Sequence, residues 1–512
     1  MMSNRIGFVE TPAEISRLMV ELSDAPKDAR VMDVGCGNGV FLKELQNQGF
    51  ENCTGIEIDK DLHNVSQSQF EHYKIINGDY LTYHFPDKFD LIIGNPPYVH
   101  YNHLPRNIAN NVRNIIKTTA GDIYYAFIIK SLELLKEGGE LIFIVPYHFF
   151  YNTYARYVRD TIFKQGKIEI IIDLDETSLF FKENPETVII KFRKGVFNID
   201  DEKIKLLKIK TKKTPPLKIM NKSLDALQNN CSNNLFDYQE IKHYANSDQW
   251  STYIMDIPDF PFVQLKDIAK VGVGFVSGFD DAFRINKEDI PFLNDNEKEL
   301  VKYFVKGKNC QKYIIDDYVS YILIEDDIRD EGELRDVYPH IYKKLIPYKA
   351  QMTSRYILGN KQWFHWQALR NYKFLIANLN KKKIYVPTLD RHSYNRFSLG
   401  DEDLLPSGDI LFIQPFQYED IYFLLGYLNS DFFRKYYLAK GARRGGRVSF
   451  TQRLLDDMNV PIFPSEIKDK ISQIVKEIIM KLENKSNVLA LEKELDRLIY
   501  KEIEKNRLSK VK

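Results

Sequence analysis

Cysteine is scarce in this 512-residue chain. Cys36, Cys53, Cys231 and Cys310 are the only four, and no two form a C-x-x-C pair. That argues against a disulfide framework and against a cysteine zinc site. No apolar run reaches 18 residues, so no transmembrane helix is expected. The opening residues MMSNRIGFVE lack the apolar segment of a signal peptide, which leads to an expected cytoplasmic location. Charge of one sign is missing too. The net charge is +1, so the overall field draws in no polyanion, and any nucleic-acid binding must come from local patches. Internal repeats and low-complexity runs are absent.

What the chain does have is length, aromatics and a rhythm. Its size exceeds one ordinary core, so at least two domains are expected. Most of the 31 Tyr and 33 Phe are expected in the core, with some available to stack on bases. From residue 30 onward, short β-type runs (RVMDV, CTGIEI, YKIING, FDLIIGN, ELIFIVP, KIEIIIDLD, ETVIIKFRK) alternate with segments of helical spacing. That alternation predicts an α/β fold with a doubly wound, mostly parallel sheet. Such sheets bind ligands beyond the carboxyl ends of their strands.

The strand ends carry chemistry. The first runs into Asp33-Val34-Gly35-Cys36-Gly37-Asn38-Gly39, where glycines let backbone turn tightly near a ligand. Its G-x-G-x-G spacing differs from the dinucleotide-binding G-x-G-x-x-G. The second ends in Glu57-Ile58-Asp59, with an acid placed to accept from ribose hydroxyls. The third ends in Asp79-Tyr80, a carboxylate for an exocyclic amine beside a ring for a purine face. The fourth stops in Asn95-Pro96-Pro97-Tyr98. Each proline fixes φ and donates no hydrogen bond, and Asn95 is pushed toward an extended conformation. The turn is therefore stiff, and holds an amide and a ring still for a flat substrate. Taken in order, the four ends describe a pocket for an adenosine-containing ligand.

At this point the sequence resembles the gamma-class N6-adenine DNA methyltransferases, the TaqI-like group of type II restriction–modification enzymes. GFVETPAEISRLMVEL, VMDVGCGNG, GIEID, INGDYLTY, FDLIIGNPPY, DIYYAFIIKSLELLKEGGELIFIVPYHFF and SLFFKENPETVIIKF follow that family's order over residues 7–193. The resemblance implies a class I methyltransferase fold and S-adenosylmethionine as cofactor. It implies that Thr11, Asp33, Gly35, Gly37, Glu57, Ile58, Asp79, Tyr80, Asn95, Pro97 and Phe127 hold the cofactor. Asn95, Pro96 and Tyr98 are implied to be catalytic, with Tyr98 and Phe180 (or the adjacent Phe181) stacking on the target base. An exocyclic adenine amine is a poor nucleophile, since its lone pair is delocalised into the ring. Two acceptors on that nitrogen, the Asn95 amide oxygen and the Pro96 carbonyl, free the lone pair and aim it. The base must leave the duplex to reach them, at a cost that stacking offsets.

The segment after NPPY, VHYNHLPRNIANNVRNIIK, reads as a loop that touches phosphates through Arg106, with Arg113 nearby. His100 and His103 lack further ligands in sequence, so no metal is expected. Beyond about residue 245 the alternation fades. FPFVQLKDIAKVGVGFVSGFDDAFRI, KKKIYVPTLDRHSYNRFSL and EDIYFLLGYLNSDFFRKYYLAKGARRGGRVSF resemble the specificity domains attached to this class. Lys440, Arg443, Arg444 and Arg447 form a glycine-flanked basic cluster suited to phosphates or guanine edges. The expected organisation is a catalytic domain over 1–245, a mixed α/β target-recognition domain over 246–464 and a helical tail over 465–512. Double-stranded DNA is the implied partner, with a restriction endonuclease acting on the same site. RNA and protein-glutamine methyltransferases also carry NPPY. The large second half argues for DNA. A fused nuclease would precede the amino-terminal motif, and that motif already begins near residue 7.

Overall fold

The computed structural model describes residues 9–509, except 119, 176, 178, 180–185, 212, 245–249, 254, 256–258, 356–360, 418–419 and 445–446. The chain divides into two compact units, Met1–Ile254 with Arg444–Gly446, and Met255–Arg443 with Arg447–Lys512.

In the first unit, strands β1 (Arg30–Val34), β2 (Asn52–Glu57), β3 (Lys74–Asn77), β4 (Phe89–Gly94) and β5 (Leu135–Pro146) lie parallel in the order 3-2-1-4-5. Their central residues are mostly buried because helices cover both faces. These are α1 (Ala13–Glu21), α2 (Val40–Asn47), α3 (Lys60–Gln69), α4 (Arg106–Ile116), α5 (Ile123–Leu134), α6 (Arg156–Gln165) and α7 (Pro216–Asn229). One core holds Met32, Val34, Ile92 and Phe143; the other holds Val31, Leu91, Ile93 and Ile142. Alternate residues of β1 and β4 thus face opposite layers, as the period of two requires.

Past β5 the pairing changes. β7 (Thr187–Lys194) inserts antiparallel between β5 and β6 (Gly166–Asp173), and β8 (Lys203–Ile209) and β9 (Phe236–Lys242) extend the edge. The lysine-rich residues 201–222 thus hold β8 and the first turns of α7, and β9 follows. Pro216 sits in the first turn of α7, where a missing N–H costs nothing.

The sheet reverses its winding between β1 and β4. Gly94 makes their close approach possible: with φ +156°, a Cβ there would lie 3.0 Å from both Val34 Cγ2 and its carbonyl oxygen.

The second unit is built of short, mixed strands. A five-stranded sheet runs in the order Ala269–Val273, Ile410–Pro415, Lys383–Pro387, Ser398–Gly400, Tyr313–Ile314. A small sheet pairs Leu389–Asp390 with Arg447–Ser449. The two C-terminal helices, Ser465–Glu483 and Leu489–Ser509, supply Ile471, Val475, Leu495 and Ile499 to this unit's core. The helix Ile421–Asn429 packs against them at Gly426, where a Cβ would meet Val475 at 2.8 Å and Ile471 at 2.9 Å. Among the described residues, no helix is long and apolar enough to cross a membrane.

Candidate active site

The ends of β1, β2, β3 and β4 surround a cavity of about 390 Å³. After β1 the chain turns through Gly35 and Gly37, at φ +67° and +54°. The left-handed region is nearly free for glycine and costs other residues strain. Gly37 N–H donates to Glu57 Oε2 at 2.9 Å, and Ser66 Oγ donates to the Gly37 carbonyl at 2.7 Å. The second Glu57 oxygen accepts from Asp59 N–H at 2.8 Å. The Glu57 carboxylate is thus fixed at the end of β2 by two backbone amides, with lone pairs remaining. Ile58, 60% exposed, offers an apolar surface beside it.

After β3, Asp79 accepts from Leu81 N–H at 2.9 Å and from Thr82 Oγ1 at 3.1 Å. Tyr80 turns inward: its hydroxyl pairs with Ser131 Oγ at 2.8 Å, and its ring lies 5.0 Å from that of Phe127. Both rings border the cavity.

After β4, Asn95 Nδ2 donates to Thr11 Oγ1 at 3.0 Å and, at 3.4 Å, to the Val9 carbonyl. That fixes the amide's orientation. Its Oδ1 is buried and has no hydrogen-bond partner. Pro97 lines the cavity; Pro96 and Tyr98 do not. The Tyr98 hydroxyl donates to the Ile144 carbonyl of β5 at 3.0 Å.

The structure thus gathers Thr11, Gly35, Gly37, Glu57, Ile58, Asp79, Tyr80, Asn95, Pro97 and Phe127 around one cavity. Asp33 is placed differently. It is fully buried and off the cavity wall, and both of its carboxylate oxygens lack partners. Burial, reinforced by the nearby Glu57 carboxylate, pushes its acid well above the usual range. Phe180 and Phe181 lie outside the described residues.

The sequence reading missed part of the wall. Residues 106–116, expected as a loop, form α4, and Leu104 and Ile108 face the cavity. Ile108, Val112 and Ile116 recur every four residues and carried that signal. Arg106 and Arg113 are exposed, and the Arg113 guanidinium covers the Tyr101 ring at 4.4 Å. In the second unit Lys440 is exposed and Arg447 partly so, but Arg443 is 4% exposed, buried within its strand. The Arg444 side chain lies outside what the structure describes.

Among the described residues one trio of carboxylates, Asp24, Glu140 and Glu169, comes close enough to share a cation. Two protein cations already fill it. Lys191 lies 2.5 Å from Asp24 and 3.3 Å from Glu140, and Arg193 lies 2.7 Å from both Glu140 and Glu169. Glu140 pairs with Arg193 across β5 and β7, away from the strand ends that carry the cavity. The cluster is a structural ion network.

A family model described as the Eco57I restriction-modification methylase matches residues 11–180. The type II methyltransferase M.MjaIV of Methanocaldococcus jannaschii is 61% identical over 257 residues, 50% of this chain and 86% of that protein. M.HindII of Haemophilus influenzae is 30% identical over 518 residues, 93% of this chain and 94% of that one. Among solved structures, the type IIL restriction-modification enzyme MmeI in complex with DNA aligns with a TM-score of 0.64 at 12% identity, over 95% of this chain and 71% of that chain. The fold is that of the class I S-adenosylmethionine-dependent methyltransferases, extended by the second unit. By these relatives and the strand-end site they share a fold with, the chain belongs to the type II DNA methyltransferases of restriction–modification systems.

Proposed function

We propose that this enzyme transfers a methyl group from S-adenosylmethionine to the exocyclic N6 amine of an adenine flipped out of a specific duplex DNA sequence, as the modification enzyme of a restriction–modification system. The observation that carries the reading is the Asn95 amide. Thr11 holds its nitrogen, so its oxygen points away, buried and unpartnered, at the end of β4. A buried acceptor without a donor is costly, and an amino group satisfies it.

The cavity residues fit the cofactor. Glu57 keeps lone pairs for ribose hydroxyls, Asp79 keeps lone pairs for an exocyclic amine, and Ile58 and Phe127 supply apolar faces for a purine. When bound, S-adenosylmethionine provides an electrophilic sulfonium methyl. The chain's own contribution is orientation and electrostatics. Asn95 Oδ1 and the Pro96 carbonyl accept from the target NH2, pulling nitrogen toward a tetrahedral geometry and meeting the positive charge that develops on it. Tyr98, anchored at its hydroxyl, offers a ring for the displaced base; stacking of about 1–3 kcal/mol per base offsets the few kcal/mol lost on unstacking. The exposed Lys440 and Arg106 and the partly exposed Arg447 are assigned to phosphates. That the relatives are named as type II methyltransferases, and that MmeI was solved with DNA, supports duplex DNA as substrate.

The test is methylation mapping. The chain and an Asn95→Ala variant are expressed in a bacterium lacking adenine methylation, and its genome is sequenced by a modification-sensitive method. N6-methyladenine at one short motif, lost in the variant, is the expected result. Soluble, cofactor-binding protein that leaves DNA unmodified would direct the search to RNA or protein glutamine.

A further inference from the structure

Beside the NPPY turn stands a polar group with no role in the chemistry above. His148 Nε2 lies 2.8 Å from Asp122 Oδ2 and 3.2 Å from the Tyr124 hydroxyl. A carboxylate only accepts, so Nε2 carries the proton; it donates to Asp122 and, more weakly, shares the same N–H with the Tyr124 hydroxyl oxygen. Asp122 is the N-cap of α5, where an aspartate ordinarily accepts from the helix's first amides, worth about 1 kcal/mol. Here its side chain makes no capping bond and turns to His148 instead.

The group is stitched to the turn. Ile123 N–H donates to the Val99 carbonyl at 2.9 Å, and Tyr101 N–H donates to the Gly121 carbonyl at 3.0 Å. The start of α5 is therefore paired with the backbone that follows Tyr98. Gly121, at φ +153°, also lets the Tyr125 ring pack close: a Cβ there would meet it at 2.9 Å. Tyr124, fully buried, sets its ring edge-on to Tyr98, with centroids 5.9 Å apart and planes at 76°. Tyr98 thus has two restraints, its hydroxyl on Ile144 and the edge of Tyr124 against its ring.

We propose that Asp122 and His148 are a positioning pair for the target base: they hold Tyr124, and Tyr124 holds the Tyr98 ring in the plane on which the displaced adenine stacks. The pair acts through Tyr98 and does not touch the reacting atoms. This inference rests on the adenine reading given above.

The test is a double-mutant cycle on duplex DNA carrying the mapped motif. His148→Ala is expected to lower kcat on the order of 10- to 100-fold through a misplaced base, with cofactor affinity by calorimetry unchanged. His148→Gln, whose amide still donates to Asp122, is expected to recover most of the rate. In a Tyr98→Ala background, His148→Ala is expected to cost less than about 2-fold, since coupled sites are non-additive. Should His148→Ala fail to fold, His148→Leu, filling similar space without a donor, replaces it in the cycle. Full activity in the single variant, or an undiminished loss in the Tyr98→Ala background, overturns the pair's role alone. A wild-type chain that binds cofactor yet methylates no DNA overturns the adenine reading and this inference with it.

Discussion

Asn95 and Thr11, 84 residues apart, meet in a 3.0 Å hydrogen bond from the amide nitrogen to the hydroxyl. The bond decides which end of the amide is left for a substrate. Without it the side chain can rotate and present a donor where an acceptor is needed. Thr11→Val keeps the volume and removes that restraint. The expected outcome is a single-turnover methylation rate reduced about 3- to 10-fold, the worth of one neutral hydrogen bond. Asn95→Ala removes the acceptor itself and is expected to cost on the order of 100- to 1000-fold, the scale of a lost transition-state contact.

Glu57 lines the cavity at the end of β2. Its two oxygens accept from Gly37 N–H and Asp59 N–H, tying the β1 loop to the end of β2. Glu57→Gln converts one acceptor into a donor that faces an amide N–H. Calorimetry is expected to show S-adenosylmethionine binding weakened by about 10- to 100-fold, since hydrogen bonds to charged groups are worth about 1.5–3 kcal/mol each. An unchanged affinity would remove Glu57 from the cofactor site.

The placement of the cavity wall was legible because each βα unit puts its wall residues directly after a strand. Glu57, Asp79 and Asn95 follow apolar runs that end abruptly, so sequence position implied spatial position. Three features were not legible. The antiparallel entry of β7 between β5 and β6 depends on which strands pair, and apolar runs do not encode partners. β9 reads FDYQEIK, an edge strand whose polar residues conceal it. The polar surface of α4, rich in Asn and Arg, hid its Ile108–Val112–Ile116 stripe. Asp33 gives the opposite lesson: a carboxylate in a glycine loop looked like a ligand, but the fold buries it completely.

That burial makes Asp33 a source of pH dependence. Its folded-state acid is raised well above the unfolded value, chiefly by burial and then by Glu57. A raised carboxyl contributes stability below the unfolded pKa, about 3.9, and loses it as pH rises toward the folded value. Asp33→Asn removes this titration. The cofactor-free variant is expected to melt higher than wild type at pH 8, with the difference shrinking as pH falls toward 5, measured by calorimetric scans. A difference independent of pH would show that the carboxyl does not titrate in this window.

Lys191 and Glu140 are 2% and 1% exposed at their side chains; Lys191 pairs with Asp24 and Glu140, and Glu140 pairs also with Arg193. Removing one partner of a buried ion pair strands a charge, which costs about 3–5 kcal/mol. Lys191→Met leaves Glu140 its Arg193 partner at 2.7 Å, so it is expected to destabilise the first unit by less than that amount in urea denaturation. Wild-type protein is expected to gain no thermal stability from added Mg²⁺ or Mn²⁺, because Lys191 and Arg193 already neutralise the trio. A clear divalent-ion stabilisation would reassign the cluster as a metal site.

The basic segment of the second unit separates two kinds of arginine. Lys440 is exposed and Arg447 partly so, whereas Arg443 is 4% exposed. A phosphate contact needs an accessible cation, and its loss lowers the salt slope of DNA binding by about 1. Lys440→Ala and Arg447→Ala are therefore expected to weaken binding across all sequences and flatten the dependence of log K on log salt. Arg443→Ala is expected instead to lower the melting temperature, because it removes a buried cation from the strand beside Arg447. Fluorescence anisotropy at three salt concentrations, paired with thermal melts, separates the two outcomes. If Arg443→Ala changes the salt slope and leaves the melt untouched, the arginine leaves its strand to meet DNA, and the segment rearranges on binding.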